Sequence, residues 1–284
     1  MKIVITGAGG NLGGKLTRHL QAAPWCSAII GIDPKPMADN GKFRAVAGDL
    51  RDPHDRLWIE PVEQADAVVH FAAQNAQPDS GWQEAAQSVD MTFNLLQHVG
   101  HAPCRFVFAS SNHVMGGYKD DPLPPGDTLR AATPPSPGTR FFDGNAFHRP
   151  TAYGSSKLLS ERAVMARAAN SLLTGVNVRI GWVQPGDNRP ETVNPHGGGR
   201  RIGPGEADAA ELARATAWYR GMWLSNRDFL QIMEKALTAP SEPWPHNAIV
   251  VSGVSNNANT PWNLDEARHW LGYQPVDNLW AELG

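Results

Sequence analysis

Cysteine is scarce in this chain: Cys26 and Cys104 are the only two, and they form neither a C-x-x-C pair nor a disulfide framework. That fits a reducing compartment and assigns both to the core as free thiols. Excess charge of one sign is also lacking, since 25 Lys and Arg stand against 28 Asp and Glu, a formal net charge of −3. No basic run resembles a phosphate-tracking stripe, so nucleic acid is not an expected partner. Long apolar runs are absent as well. The opening "MKIVITGAGG" reaches its glycines after a few apolar residues, short of a signal-peptide core or a membrane span. A cytoplasmic protein without a membrane partner is expected. There is no internal repeat, and no metal site is expected.

What is present is a large potential core, since 284 residues with 41% apolar side chains can bury one. Short β-branched runs alternate with helical spacing through the first half. The expected strands are "KIVIT" at 2–6, "AIIGI" at 28–32, "FRAVA" at 43–47, "AVVHF" at 67–71, "RFVFA" at 105–109 and "GVNVRI" at 175–180. Their continuous apolar character argues for a parallel sheet covered on both faces, a doubly wound α/β fold of Rossmann type. Residues 1–181 are read as the dinucleotide-binding domain and 182–284 as a smaller substrate lobe interleaved with it. Two Gly- and Pro-rich stretches, 119–150 and 183–210, are expected to be long loops. Beyond them, Ser225 caps a helix whose Phe229, Ile232, Met233 and Leu237 share a face, "AIVVSGV" is a further strand, and "NLDEARHWLG" is a helix ended by Gly272.

Directly after the first strand, "TGAGGNLGG" sets Gly7, Gly10 and Gly13 ahead of a helix. Glycine lets a backbone turn tightly and approach a pyrophosphate, while free N–H groups at the helix start stabilise its charge. The second strand ends in Asp33, at the distance expected of a ribose-binding acid. A carboxylate there bonds the ribose diol and repels a 2′-phosphate, which favours NAD over NADP, with Lys35 two residues on. Further along, "VFASSNHVMGG" breaks from an apolar strand into Ser110, Ser111, Asn112 and His113, and "YGSSK" places Tyr153 and Lys157 one helical turn apart. An ammonium on the same face lowers the phenol pKa and lets it act as a base.

Glycine turn, acid after strand two, serines after strand five and Y-x-x-x-K, in that order, resemble the extended short-chain dehydrogenase/reductases, the NAD-dependent epimerase/dehydratase family, over residues 1–181. The resemblance implies a catalytic Ser111, Tyr153 and Lys157. It also implies a cofactor cleft that includes Asn11, Leu12, Asp49, Leu50, Phe71, Ala72 and Ala73. Ser88 and Met91 stand where the family has asparagine and glycine. Among its branches, "SSNH", "VRIG", "WLSNRDF" and "WLGYQPVDN" are most similar to the uronate dehydrogenases, and Asn112 and His113 replace the Asp-Glu pair of the dehydratases. The implied reaction is NAD-dependent oxidation of C1 of a sugar or sugar acid to the lactone. Tyr153 would be the base, Ser111 would bond the reacting oxygen, and Asn75, Asn112, His113, Trp182 and Arg220 would stand around the sugar. Trp182 replaces a small hydroxyl residue of that branch and Trp218 an arginine, which leaves Arg200, Arg201 or Arg220 as candidates to clamp an acidic group. A nucleotide-sugar epimerase and a non-catalytic NAD-sensing protein are the alternative readings. A homo-oligomer is left open.

Overall fold

The computed structural model describes residues 1–196 and 203–283. Seven parallel strands form one sheet: β1 Lys2–Thr6, β2 Ala28–Ile32, β3 Phe43–Val46, β4 Ala67–His70, β5 Cys104–Ser111, β8 Leu173–Ile180 and β9 Ala248–Gly253. They lie in the order β3-β2-β1-β4-β5-β8-β9, so chain order reverses between β1 and β4. A short antiparallel pair, β6 Phe141–Phe142 and β7 Phe147–His148, stands apart from the sheet.

Helices α1 Asn11–Gln21, α2 Arg56–Glu63, α3 Trp82–His98 and α4 Ala152–Ala169 belong to the first half. Helices α5 Ala209–Gly221, α6 Asn226–Thr238, α7 Asp265–Leu271 and α8 Leu279–Leu283 follow. The pleat distributes the strands between two cores. Ile3 and Ile5 join Leu16 and Leu20 of α1 and Phe229 and Ile232 of α6 in one. Val4, Val68 and Phe106 join Trp58 of α2, Leu95 of α3 and Val164 of α4 in the other. Successive residues of a strand face opposite sides, so a strand apolar along its whole length has to be covered twice. That is the doubly wound α/β arrangement.

Two helices break the pattern that made the others legible. Helix α2 carries Pro61 in its interior, a residue that signals a helix end. Helix α5 buries Glu211 among its inward residues and so shows no apolar period. The carboxylate of Glu211 bonds Lys119 Nζ at 2.7 Å, Arg140 Nη2 at 2.7 Å and Arg214 Nη2 at 2.6 Å, which fastens α5 to the segment that leaves β5. Strand β9 pairs with β8 along its whole length, so residues from the last third of the chain complete the sheet. Among the described residues, no helix is long and apolar enough to cross a membrane.

Candidate active site

A cleft of about 850 Å³ runs along the carboxyl ends of the strands, where an open parallel sheet leaves a crevice at the point of reversed order. Its first end is made of backbone. Gly7 donates to the Ile32 carbonyl at 2.8 Å and Gly10 to the Gly7 carbonyl at 3.0 Å, closing the turn between β1 and α1. Gly7 has φ +68°, and a Cβ there would stand 2.8 Å from the Ala72 nitrogen. A Cβ on Gly13 would stand 2.3 Å from the Gly7 carbonyl oxygen. Both glycines are required by contact, and the gap they leave is what a pyrophosphate over a helix N-terminus needs.

Asp33 ends the next strand, where its carboxylate accepts from the Gly9 nitrogen at 3.1 Å and the Lys35 nitrogen at 2.9 Å. Asp49 faces the same end. Its two-pronged bond to Arg51, 2.6 Å at the shortest, holds the carboxyl below its usual range. Gly7, Gly10, Asn11, Leu12, Gly13, Asp33, Asp49, Leu50, Phe71, Ala72 and Ala73 all line this cleft. Asn11 also fastens α1 to the later loop, donating to the Val183 carbonyl at 3.0 Å. Glycine cradle and acid together fit the pyrophosphate and adenine-side ribose of a dinucleotide.

The other end is built from side chains. Helix α4 sets Tyr153 and Lys157 one turn apart, and Lys157 Nζ donates to the Ala109 carbonyl at 2.8 Å. That ammonium lies 5.7 Å from the centre of the Tyr153 ring. Burial lowers the Lys157 pKa to about 8, against an opposing pull from Glu161. Burial raises the Tyr153 phenol, and a hydrogen bond with Ser111 works the other way. Ser111 sits at the tip of β5 and accepts from the His113 nitrogen at 3.2 Å. His113 meets Thr139 Oγ1 at 2.8 Å and stands edge-on to Tyr153 with ring centres 5.9 Å apart. Burial pushes its imidazole down to about 4, so it is uncharged at neutral pH and offers hydrogen bonds without charge. Ser111, His113, Tyr153 and Lys157 all line the cleft.

Trp182 closes this end edge-on to Tyr219, with ring centres 5.8 Å apart. It is pinned by a bond from its nitrogen to the Met222 carbonyl at 2.8 Å and by Leu224 donating to its carbonyl at 3.1 Å. Tyr219, Met222, Gln184 and Asn194 share the wall. Sequence reasoning missed these four, because α5 has no apolar period and the loop before it no period of any kind.

Three expected substrate contacts are not among the described residues lining the cleft. Asn75, between the lining residues Gln74 and Ala76, has φ +48° and donates to both carboxylate oxygens of Glu84 at 3.0 Å. Asn112 is fully buried, with neither amide atom bonded, and is not among the described residues lining the cleft. The strand continues through Ser111, and the turn that follows carries Asn112 inward while leaving His113 at the surface of the cleft. Arg220 stacks 5.2 Å over the Trp280 ring and contributes nothing to the described cleft wall. Trp218 packs on Trp262 in the core, ring centres 4.6 Å apart. Arg200 and Arg201 lie outside the described residues.

Comparison with known proteins agrees with this fold. A family model described as the NAD dependent epimerase/dehydratase family matches residues 3–195. An L-arabinose 1-dehydrogenase (NAD(P)(+)) from Haloferax volcanii is 29% identical, covering 98% of this chain and 97% of its own. An NAD-dependent glucose-6-phosphate dehydrogenase from the same organism is 28% identical over 97% of this chain and 93% of its own. The crystal structure of uronate dehydrogenase from Agrobacterium tumefaciens superposes with a TM-score of 0.69 at 24% identity, over 99% of this chain and 86% of that one, which bears on the fold.

Proposed function

Because the chain belongs to the NAD-dependent epimerase/dehydratase family, we propose that it is a sugar 1-dehydrogenase that oxidises the anomeric carbon of a cyclic aldose to the lactone. The observation that carries this reading is that Ser111, Tyr153 and Lys157 stand in one continuous cleft with the glycine turn and Asp33. NAD, when bound, supplies the hydride acceptor. Gly7, Gly10 and Gly13 would hold its pyrophosphate, and Asp33 its adenine-side ribose.

The protein's own part is acid–base and positional. Lys157 keeps a positive charge beside the phenol, which favours the phenolate. Tyr153 takes the proton of the C1 hydroxyl, and the Ser111 hydroxyl bonds the oxygen it leaves. His113 and Asn194 offer directional bonds to other hydroxyls, and Trp182 with Tyr219 gives an apolar wall for a ring face. These bonds reward a sugar that carries the hydroxyls and leave buried groups unpaired for one that lacks them.

A neutral aldose is the substrate class proposed, and Arg200 and Arg201, which lie outside the described residues, are the groups left to meet an acidic one. Among the described lining residues, the cations apart from Lys157 are Lys35 and Arg51, both at the Asp33 and Asp49 end. The same reading puts the enzyme in the cytoplasm, where Cys26 and Cys104, both free and buried, stay reduced. Incubating the protein with NAD and a panel of neutral aldoses, hexuronates and sugar phosphates, and following reduced nicotinamide by absorbance, tests the reading. Reduction with a neutral aldose is expected, and absence of reduction across the panel overturns it.

A further inference from the structure

One buried ion pair sits directly behind the catalytic helix face. Tyr153, Lys157 and Glu161 succeed one another at four-residue intervals on α4, so they form a stripe along one side of it. Glu161 is 1% exposed and Arg179 is 2% exposed. The Glu161 carboxylate accepts from Arg179 Nε at 2.9 Å and Nη2 at 3.0 Å, and from the Ser110 hydroxyl. Ser110 and Arg179 are themselves register partners across β5 and β8. A single carboxylate therefore ties two central strands to α4. Its attachment on β5 lies between Ala109, whose carbonyl holds Lys157, and Ser111.

We propose that Glu161 is a positioning residue for the reaction: it fixes the register of α4 against β5 and supplies the countercharge that keeps the Lys157 ammonium protonated beside Tyr153. The proposal rests on the functional reading above for its link to sugar oxidation, but its electrostatic core can be tested without a sugar.

The groups facing Lys157 leave Glu161 as the balancing charge. From α4 come Tyr153, whose ring centre lies 5.7 Å from the ammonium, and Glu161, whose charge acts on Lys157 from one turn further along. From β5 the ammonium meets the Ala109 carbonyl at 2.8 Å and the Phe108 ring 5.0 Å away. From β4 comes His70, whose imidazole is pushed down to about 3 by burial and by the Lys157 charge and so carries none itself. Arg179, on β8, is turned into the Glu161 carboxylate. A buried ammonium without a countercharge releases its proton. The phenol would then face a neutral amine. Glu161 lies about 12 Å along the helix axis from Tyr153, eight residues at 1.5 Å each, so its direct effect on the phenol is small compared with that of the lysine it sustains.

The test is the ionisation of Tyr153 itself, read as phenolate absorbance in the near ultraviolet with the Tyr153→Phe protein as the blank. In Glu161→Gln the phenolate midpoint should rise by about one pH unit, and turnover at neutral pH should fall about tenfold and recover as pH is raised. The KM for NAD should stay close to wild type, since Glu161 touches the cleft wall through Ser110, away from the glycine turn and Asp33. Glu161→Gln leaves Arg179 buried and unpaired and can fail to fold. The double variant Glu161→Gln/Arg179→Met removes both charges at similar volume, and in a folded protein its midpoint should still rise, by less than in Glu161→Gln because the Arg179 cation is gone as well. A folded variant with an unchanged Tyr153 midpoint, or a loss of turnover independent of pH, overturns the proposal. If the wild type oxidises no sugar, the functional reading fails, while the phenolate titration still decides this one.

Discussion

Replacing Gly13 with alanine asks whether the first turn is a cofactor cradle or a mere connection. The added Cβ would stand 2.3 Å from the Gly7 carbonyl oxygen and 2.7 Å from Ala8 Cα, both backbone atoms, against an ordinary contact beginning near 3.4 Å. Neither atom can swing aside, so α1 must back away by about 1 Å (3.4 less 2.3). Overpacking of this kind costs about 1–3 kcal/mol, or roughly 2–4 °C of melting temperature per kcal/mol in a chain of this size. The same movement shifts the N–H groups at the start of α1, whose cap is Gly10. NAD affinity should therefore fall by about tenfold or more, one lost charge-assisted hydrogen bond being worth roughly 1.5–3 kcal/mol. Thermal melts with and without NAD, and a titration of NAD against intrinsic tryptophan fluorescence, measure both. A Gly13→Ala protein with wild-type melting temperature and wild-type NAD affinity would refute the packing argument and the cradle together.

Three further expectations rest on separate parts of the molecule. Tyr153→Phe should lower turnover by roughly 10²–10⁴-fold while NAD affinity, measured by calorimetry, barely changes; equal turnover would remove Tyr153 from the chemistry. Asp33→Ala should weaken NAD by about 1.5–3 kcal/mol and weaken NADP less, since the carboxylate bonds the diol and repels the extra phosphate; a wild type that already binds NADP more tightly contradicts this. His70 and His113 are held uncharged, with pKa values of about 3 and about 4 against an ordinary 6.5. Between pH 6.5 and about 4 the unfolded chain binds protons that the folded one does not, so stability falls as pH falls. Two such groups give a slope near 2.7 kcal/mol per pH unit (2 × 1.36) below pH 6. Urea unfolding at pH 6 and pH 5 checks it, and a slope that His113→Asn leaves unaltered would clear His113 of any part in it.

Much of this was legible because the physics is local. Continuous apolar runs specified β1, β2 and β4 and their burial on both faces. Gly7 and Gly13 were readable because contact permits nothing larger, and Ser225 because its hydroxyl caps α6, accepting from the Asp228 nitrogen at 3.0 Å. The sugar end was harder, because its wall comes from segments whose order depends on partners far along the chain. Tyr219 reaches the cleft because Glu211, eight residues earlier, is buried against Lys119 and Arg140, and no spacing announces such a pairing. Asn112 is the opposite case. Its position beside Ser111 suggested the cleft, but one residue of turn carried it into the interior. Glu161 carries no sequence signal of its own, because its partner Arg179 lies 18 residues away on a different element.

The central claim is that hydride leaves the anomeric carbon of a sugar and stays on the nicotinamide. A neutral aldose deuterated at C1, incubated with the wild-type enzyme and NAD, puts this to the most direct measurement. Mass spectrometry should find the deuterium in the reduced nicotinamide and an unlabelled lactone in stoichiometric amount, with the deuterated sugar oxidised more slowly than the ordinary one. Deuterium retained in the sugar, or a changed sugar formed without net reduction of NAD as in epimerisation, would contradict the account.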